Sequence, residues 1–399
     1  MAPSLHLLGI FFPNYFLVGK FLLLCDQEQR QWQRRPLTGH QKGTENVQSH
    51  TTACHGFVAN FSGKQRHRVT VAHAAASDGR VIDVEAPTVP SEADGDPVNF
   101  PLVRLIPDGP GADYLTAAAA PSGDVRFWWL GQAGFALEHD GRRILIDPYL
   151  SDSLATKYAG TVFPHTRLHP VPVDPEQMVG IQAVLHSHAH TDHLDPETVR
   201  ALQTRNRPFF LAPRARTQVA MDRHIPVELL IPVTAGSSVE LASDISVTVV
   251  PAAHEDLETD INGDSVFLGY IIDIAGVKIY HSGDCVPYQG QAELLRNMRV
   301  DLALLPINGR DSHRLQNGVP GNFTVNEALE LCAAADIPAV VGHHFGLFDF
   351  NTVDPGEAAQ EFTHLAGDVQ WTLPSLGQAY HITPARTANV PQNERRQPA

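Results

Sequence analysis

The segment "LHSHAHTDHLD", residues 185–195, sets four histidines and two aspartates within eleven positions. In extended backbone, residues two apart project to the same side, so His188 and His190 can turn their imidazoles toward one cation. Asp192 and His193 follow at a bend, where they can face a second cation. Imidazole mixed with carboxylate is a donor set that zinc, manganese or iron accepts. A purely structural cluster of this kind would bury uncoordinated imidazoles beside a carboxylate, which is costly. His186 lies two residues upstream, within the preceding apolar strand, and reads as support for the loop rather than as a ligand.

Four groups cannot complete two metal sites, so later strand ends should supply more. "VVPAAHED" places His254 just past an apolar strand, and "IYHSGD" places Asp284 past another, where a carboxylate could bridge both ions. "AVVGHHFGLF" places His343 and His344 past a third. In α/β sheets such strand ends deliver their residues to one rim. His6, His40, His55 and His73 stand alone and read as ordinary histidines.

The elements that position these residues begin at Asp124. "VRFWWLGQAGFALEHDGRRILIDPYL" reads as three strands, with Asp140-Gly141 as a hairpin turn. Apolar strands then alternate with helices: "AVLHS", a helix opened by Asp195-Pro196, "ISVTVVPA", the hairpin "SVFLGYIIDIAGVKIYHSGD", and a helix around "GQAELLRNM". "VDLALLPI", a helix capped by Thr324 with Glu327, "AVVGHH" and a final helix "PGEAAQEFTHLA" complete the series. Hairpins followed by strand–helix units imply packed sheets with helices outside.

Composition bounds the function. A hydrophobic fraction of 43% and a charged fraction of 18% describe a globular chain able to bury a core. A formal charge of −15, without a basic patch, argues against nucleic acid as a partner. Cys25, Cys54, Cys285 and Cys332 are scattered without paired spacing, which suggests a reducing, cytoplasmic setting. The stretch "LLGIFFPNYFLVGKFLLL" is interrupted by Pro13, Asn14 and Lys20, so no membrane span is expected. The alternative is an exported or anchored chain, if that stretch acts as a signal. Residues 25 to about 120 lack periodicity, apart from a short strand near "RVTVAHA", and read as tail or linker.

The set "SHAHTDHLD", "PAAHE", "YHSGD" and "VGHHFGLFDFNTVDP" resembles, in order, the metal motifs of the metallo-β-lactamase superfamily. "WWLGQAGF" and "LIDPYL" match the strands that open that fold. The resemblance covers roughly residues 124–385 and implies a four-layer αββα sandwich. Residues 1–120 would be a poorly ordered N-terminal extension, 121–385 the hydrolase domain and 386–399 a C-terminal tail. It further implies two divalent metal ions, Zn2+ or Mn2+. The first would be held by His188, His190 and His254, the second by Asp192, His193 and His344, with Asp284 bridging. Counting back from "FNTVDP" selects His344 and leaves His343 beside the site. Asp147 takes the position of a buried acid beneath the metals, acting through the histidines.

Within the superfamily the chain is most similar to the L-ascorbate-6-phosphate lactonase branch, through "FWWLGQAGF", "IYHSGDC", "VDLALLPINGRD" and "HFGLFDFNTVDP". This implies hydrolysis of a small anionic ester or lactone by a metal-bridging hydroxide, with Asp192 orienting the nucleophile and managing its proton. No Gly-x-Ser-x-Gly elbow is present, and Cys285 lacks an evident base, which disfavours a nucleophilic side chain. The loop "INGRDSHRLQNGVPGN" offers Asn308, Arg310, His313 and Arg314 to the substrate, an arginine pairing with its anion. "FPHTRLHP", with His165, Arg167 and His169, is a further candidate wall.

Two rivals remain: a phosphodiesterase resembling N-acyl phosphatidylethanolamine phospholipase D, and a diiron redox module on the same fold. A lipid substrate predicts an apolar entrance, and a sugar-acid phosphate a polar, basic one. The diiron modules resemble His-x-Glu-x-Asp at the first motif, and His190 occupies the Glu position. A homo-oligomer is left open.

Overall fold

A computed structural model describes residues 84–85, 104–107 and 109–383. Its strands form two eight-stranded sheets. The first runs Arg104–Pro107 (β2), Ala379–Thr383 (β16), Val125–Gly131 (β3), Gly134–His139 (β4), Arg142–Ile146 (β5), Ile181–Leu185 (β6), Phe209–Pro213 (β7) and Leu230–Val233 (β8). The second runs Val84–Glu85 (β1), Ser238–Ala242 (β9), Ile245–Pro251 (β10), Leu268–Ile274 (β11), Val277–His281 (β12), Leu302–Pro306 (β13), Ala339–His343 (β14) and Gln370–Thr372 (β15). Each sheet is antiparallel in its first part and parallel in its last.

Why these strands are apolar on both faces follows from the layers. Along β3, Val125, Phe127 and Trp129 join the core between the sheets, while Trp128 and Leu130 face the opposite side with Val199 and Leu202. Those last two belong to helix Pro196–Leu202. Sheets covered on one face by a sheet and on the other by helices produce continuous apolar runs. The arrangement is the expected αββα sandwich.

The expected turns and caps are present. Asp140 and Gly141, both at positive φ, close the β4–β5 hairpin. The Asp195 carboxylate accepts from the backbone N–H groups of Glu197 and Thr198, with Pro196 in the first turn. Thr324 and Glu327 form a reciprocal capping box on helix Val325–Ala334.

The domain begins earlier than the expected boundary at residue 121. β2 pairs with β16, and Leu115 is fully buried. Arg143, also fully buried, donates from Nη1 to the carbonyls of Leu115, Ala117 and Val179 and from Nε to Glu138. A buried guanidinium requires such acceptors, so residues 104–107 and 109–120 are built into the domain. The apolar stretch near the N-terminus, the "RVTVAHA" strand and residues 386–399 lie outside the described residues. Among those described, no helix is long and apolar enough to cross a membrane.

Candidate metal centre

Four strand ends meet at one rim. β6 leads into the 186–195 loop, β10 into His254, β12 into Asp284, and β14 into His344. Parallel pairing sets their level: Ile146 lies opposite Leu185, and Pro306 opposite His343. Contrary to the alternation argument, residues 186–193 are a run of bends and turns rather than extended strand. The loop is held from behind. His186 Nδ1 lies 2.7 Å from the carbonyl oxygen of His193, the Tyr270 hydroxyl donates to the His186 carbonyl at 2.7 Å, and Arg223 donates to the Leu194 carbonyl at 2.8 Å.

Gly283 makes the junction between the two sheets' loops. Its φ is +63°, and a Cβ there would lie 2.7 Å from the Ser187 Cβ and 2.9 Å from the Leu268 carbonyl oxygen. Only glycine tolerates both constraints, and the close approach sets Asp284 beside His193.

The predicted ligands converge as three overlapping groups: His188, His190 and His254; His188, His193 and Asp284; and Asp192, His193 and His344. His190 Nδ1 lies 2.9 Å from His188 Nε2 and 3.2 Å from His254 Nε2. Asp284 faces both ends of the cluster. Its Oδ2 is 3.7 Å from His254 Nε2, and its Oδ1 is 3.3 Å from His193 Nε2 and 3.1 Å from His344 Nε2. Asp192 Oδ2 lies 3.7 Å from His193 Nε2 and 3.9 Å from His344 Nε2.

Asp147, at φ +42°, lies beneath the cluster, as the sequence suggested. It accepts from the Ser187 N–H at 2.7 Å and from His193 Nδ1 at 2.7 Å. With Nδ1 so engaged, His193 turns Nε2 toward the two other carboxylates.

The donor set fits divalent cations on its own chemistry. His193 Nε2 and Asp284 Oδ1 are buried without a hydrogen-bond partner among the described residues. Burial, reinforced by repulsion from His193, His190 and His254, holds His188 well below the ordinary histidine pKa. Burial likewise pushes His254 down to about 4. Burial would raise Asp284, yet His193 and His344 hold it well below the carboxylate range. Neutral imidazoles and an ionised carboxylate are the forms that bind metal. At His193 burial opposes a positive charge, but Asp284, Asp192 and Asp147 overcome it and raise the pKa well above the usual value. The centre thus favours positive charge where a cation would be shared.

Other assignments change. His343 points into the core, stacked on His281 at 5.1 Å and edge-on to Phe135 at 5.3 Å, so it belongs to no ligand group and no substrate wall. Arg310 is paired bidentately with Glu327 at 2.6 and 2.7 Å. Arg314 is buried, with Nε on Asp311 and Nη1 on Asn351. Asn308 is also buried, bonded to Asn351 and Asn322. Both guanidinium charges are thus neutralised by carboxylates of this chain, which leaves them poorly placed to hold a substrate anion. The stretch read as a loop contains helix Ser312–Gln316, on which His313 is exposed and edge-on to Phe163. Cys285 is buried, and burial pushes its thiol up to about 12, which agrees with its exclusion as a nucleophile.

Residues that touch the candidate ligands and escaped the sequence reading include Gln132 and Phe267, besides Ser187, whose Oγ lies 3.0 Å from His188 Nδ1. Gln132, fully buried at φ +52°, donates from Nε2 to Asp192 Oδ2 at 3.1 Å and lies 3.1 Å from His344 Nε2. Its one signal is a polar residue inside "LGQAG", a tight turn between apolar strands. Phe267 packs its ring 5.4 Å from His188 and 5.2 Å from His254, for which the sequence carries no signal.

Residues 142–345 match the model of the Beta-lactamase superfamily domain, and the chain belongs to this family. It is 28% identical over 266 residues to a UPF0173 metal-dependent hydrolase of Methanopyrus kandleri, covering 64% of this chain and 99% of that relative. It is 24% identical over 269 residues to a protein of the same name from Myxococcus xanthus, covering 65% and 84%. Its fold is similar to that of the isothiocyanate hydrolase from Delia radicum gut bacteria, at TM-score 0.51 and 17% identity, over 64% of this chain and 97% of the other.

Proposed function

We propose that this protein is a metal-dependent hydrolase that uses two divalent cations, Zn2+ or Mn2+, to cleave a small anionic ester or lactone. The observation that carries this reading is the division of Asp284, one oxygen toward His254 and the other toward His193 and His344. A carboxylate so placed can bridge two ions. His188, His190 and His254 would hold one, and Asp192, His193 and His344 the other. Bound there, the pair would lower the pKa of water and polarise a carbonyl oxygen.

The chain's own groups do the rest. Asp192 is only partly buried and lies at the rim, where one carboxylate oxygen can orient the attacking water and accept its proton. Gln132 fixes that carboxylate from behind. Asp147 holds His193 in one tautomer. The hydrolase names of the relatives support the reaction class.

Metal analysis should find two ions per chain, and a screen of lactones, carboxylic esters, phosphodiesters and phosphorylated sugar acids should find lactone or ester turnover abolished by chelation. Turnover surviving complete metal removal would end this reading, and cleavage confined to phosphodiesters would replace the substrate class.

A further inference from the structure

With Arg310 and Arg314 engaged elsewhere, the question is which cation faces the rim. Lys157 and Lys278 are the lysines of residues 104–383. Lys278 donates to the Met298 carbonyl on the sheet's far side. Lys157 ends helix Ser153–Lys157 and is exposed, its Nζ 3.4 Å from the hydroxyl of Thr191, which stands between His190 and Asp192. It has no carboxylate partner among the described residues. Arg167 and Arg223 are tied inward to backbone carbonyls.

Beside Lys157 stands a wall of rings. Its ammonium lies 5.0 Å above the Tyr158 ring. Tyr158 stacks on His165 at 4.2 Å, His165 meets Phe350 edge-on at 4.7 Å, and Phe350 stacks on Phe163 at 4.4 Å. The Leu168 N–H, donating to the Leu347 carbonyl at 2.9 Å, pins this loop to the segment that follows His344. Val162 and Leu168 extend the wall outward at 72% and 58% exposure. One polar atom of the wall is already engaged, because His165 Nδ1 lies 2.6 Å from the Phe163 carbonyl oxygen.

We propose that this rim is a substrate subsite for a flat, apolar group, typically an aromatic ring, whose anionic substituent is held by Lys157. Partly exposed rings offer stacking area at small entropic cost. A lone ammonium over an aromatic face supplies a charge-assisted bond without a competing carboxylate. A rim built mostly of aromatic and aliphatic area, with the Tyr158 and Thr191 hydroxyls and one His165 nitrogen as its few polar atoms, favours an amphiphilic acid over a polyhydroxy acid, most of whose hydroxyls would lose water without replacement. This narrows the ester or lactone class above, and it rests on that reading for the orientation of the scissile bond toward the metals.

The test is equilibrium binding to the metal-loaded protein, which requires no turnover. The probes are benzoate, terephthalate and isophthalate, with glucarate as a dicarboxylate rich in hydroxyls. The better phthalate isomer, with one carboxylate toward the metals and the other toward Lys157, should bind at least about tenfold tighter than glucarate; Lys157→Met should remove about tenfold of that affinity while changing benzoate, whose single carboxylate is drawn to the metals, less than about twofold. His165→Leu should weaken both aromatic probes. Glucarate binding as tightly as the phthalates, or phthalate affinity indifferent to Lys157→Met, would overturn the subsite. If the binding pattern holds while no ester or lactone is cleaved, the ester-or-lactone reading fails and the subsite stands.

Discussion

The two ends of the metal centre are built on different principles. His188, His190 and His254 form an all-imidazole group in which His190 is exposed and the rings pack on Phe267. Asp192, His193 and His344 include a carboxylate, and both of their histidines are fully buried. Asp147 and Gln132 bond to this second group, and Asp147, Gln132 and His344 all adopt positive φ. Left-handed backbone at non-glycine residues costs energy that the surrounding structure must impose, and it concentrates at functional sites. The difference teaches that the inner end is held by electrostatics and constrained backbone, and the outer end by ring packing. Asp284 is the side chain that faces both groups.

The largest effect should therefore follow loss of Asp284. Asp284→Ala should lower metal content below two ions per chain and reduce kcat by about a thousandfold or more, since hydroxide supply and carbonyl polarisation fail together. Metal analysis with steady-state kinetics checks this, and retention of both ions with near-normal turnover would dissolve the bridge between the two ends.

The adjacent histidines sharpen the contrast next. His344→Ala should empty the inner site alone. His343→Ala should keep both ions but cost about 2–4 kcal/mol of stability, because it opens a cavity against His281 and Phe135. Metal stoichiometry and denaturant titration of the two variants separate these outcomes. Metal lost only from the His343 variant would reverse the assignment.

Asp147→Asn tests whether the inner end depends on its buried acid. Inner-site affinity should fall about 10- to 100-fold, while the outer site changes by less than about threefold. Equal weakening in a two-site metal titration would erase the distinction.

The smallest effect is a pH dependence. His193 has its folded-state pKa raised, so protonation stabilises the metal-free protein below the ordinary histidine value of 6.5. That contribution is lost as pH rises from there through the raised value, at a slope of at most about 1.4 kcal/mol per pH unit for one proton. In the metal-loaded protein an ion bound at His193 would take the place of that proton, so the slope should vanish. Urea melts of both forms across this window provide the comparison, and a falling slope in the loaded form would disconnect His193 from the metal.

Much of the candidate centre was legible because a donor set fit for metal leaves local marks. "SHAHTDHLD" concentrates imidazoles and carboxylates that have few other reasons to be adjacent. His254, Asp284 and His344 each follow an apolar strand, so sheet topology could be expected to gather them. The caps at Asp195 and Thr324 were visible for the same reason: their hydrogen bonds span three residues. The start of the domain was not visible, because Leu115 and the carbonyls around Arg143 acquire meaning only through a residue nearly 30 positions away.

The arginines show the same limit from the other side. A charged loop at the rim reads as a substrate clamp until Glu327, Asp311 and Asn351 are seen to occupy it. Lys157, 34 positions before Thr191, carries no motif at all. The amino-acid sequence by itself determined the donor types, their order and the alternation that makes two covered sheets, since these depend on covalent neighbours and on side-chain period. Only the tertiary structure decided which nitrogen faces which carboxylate and, among the described residues, which cation at the rim lacks a carboxylate partner. Those outcomes depend on distances and on competition for partners between segments remote in the chain, and no local pattern encodes them.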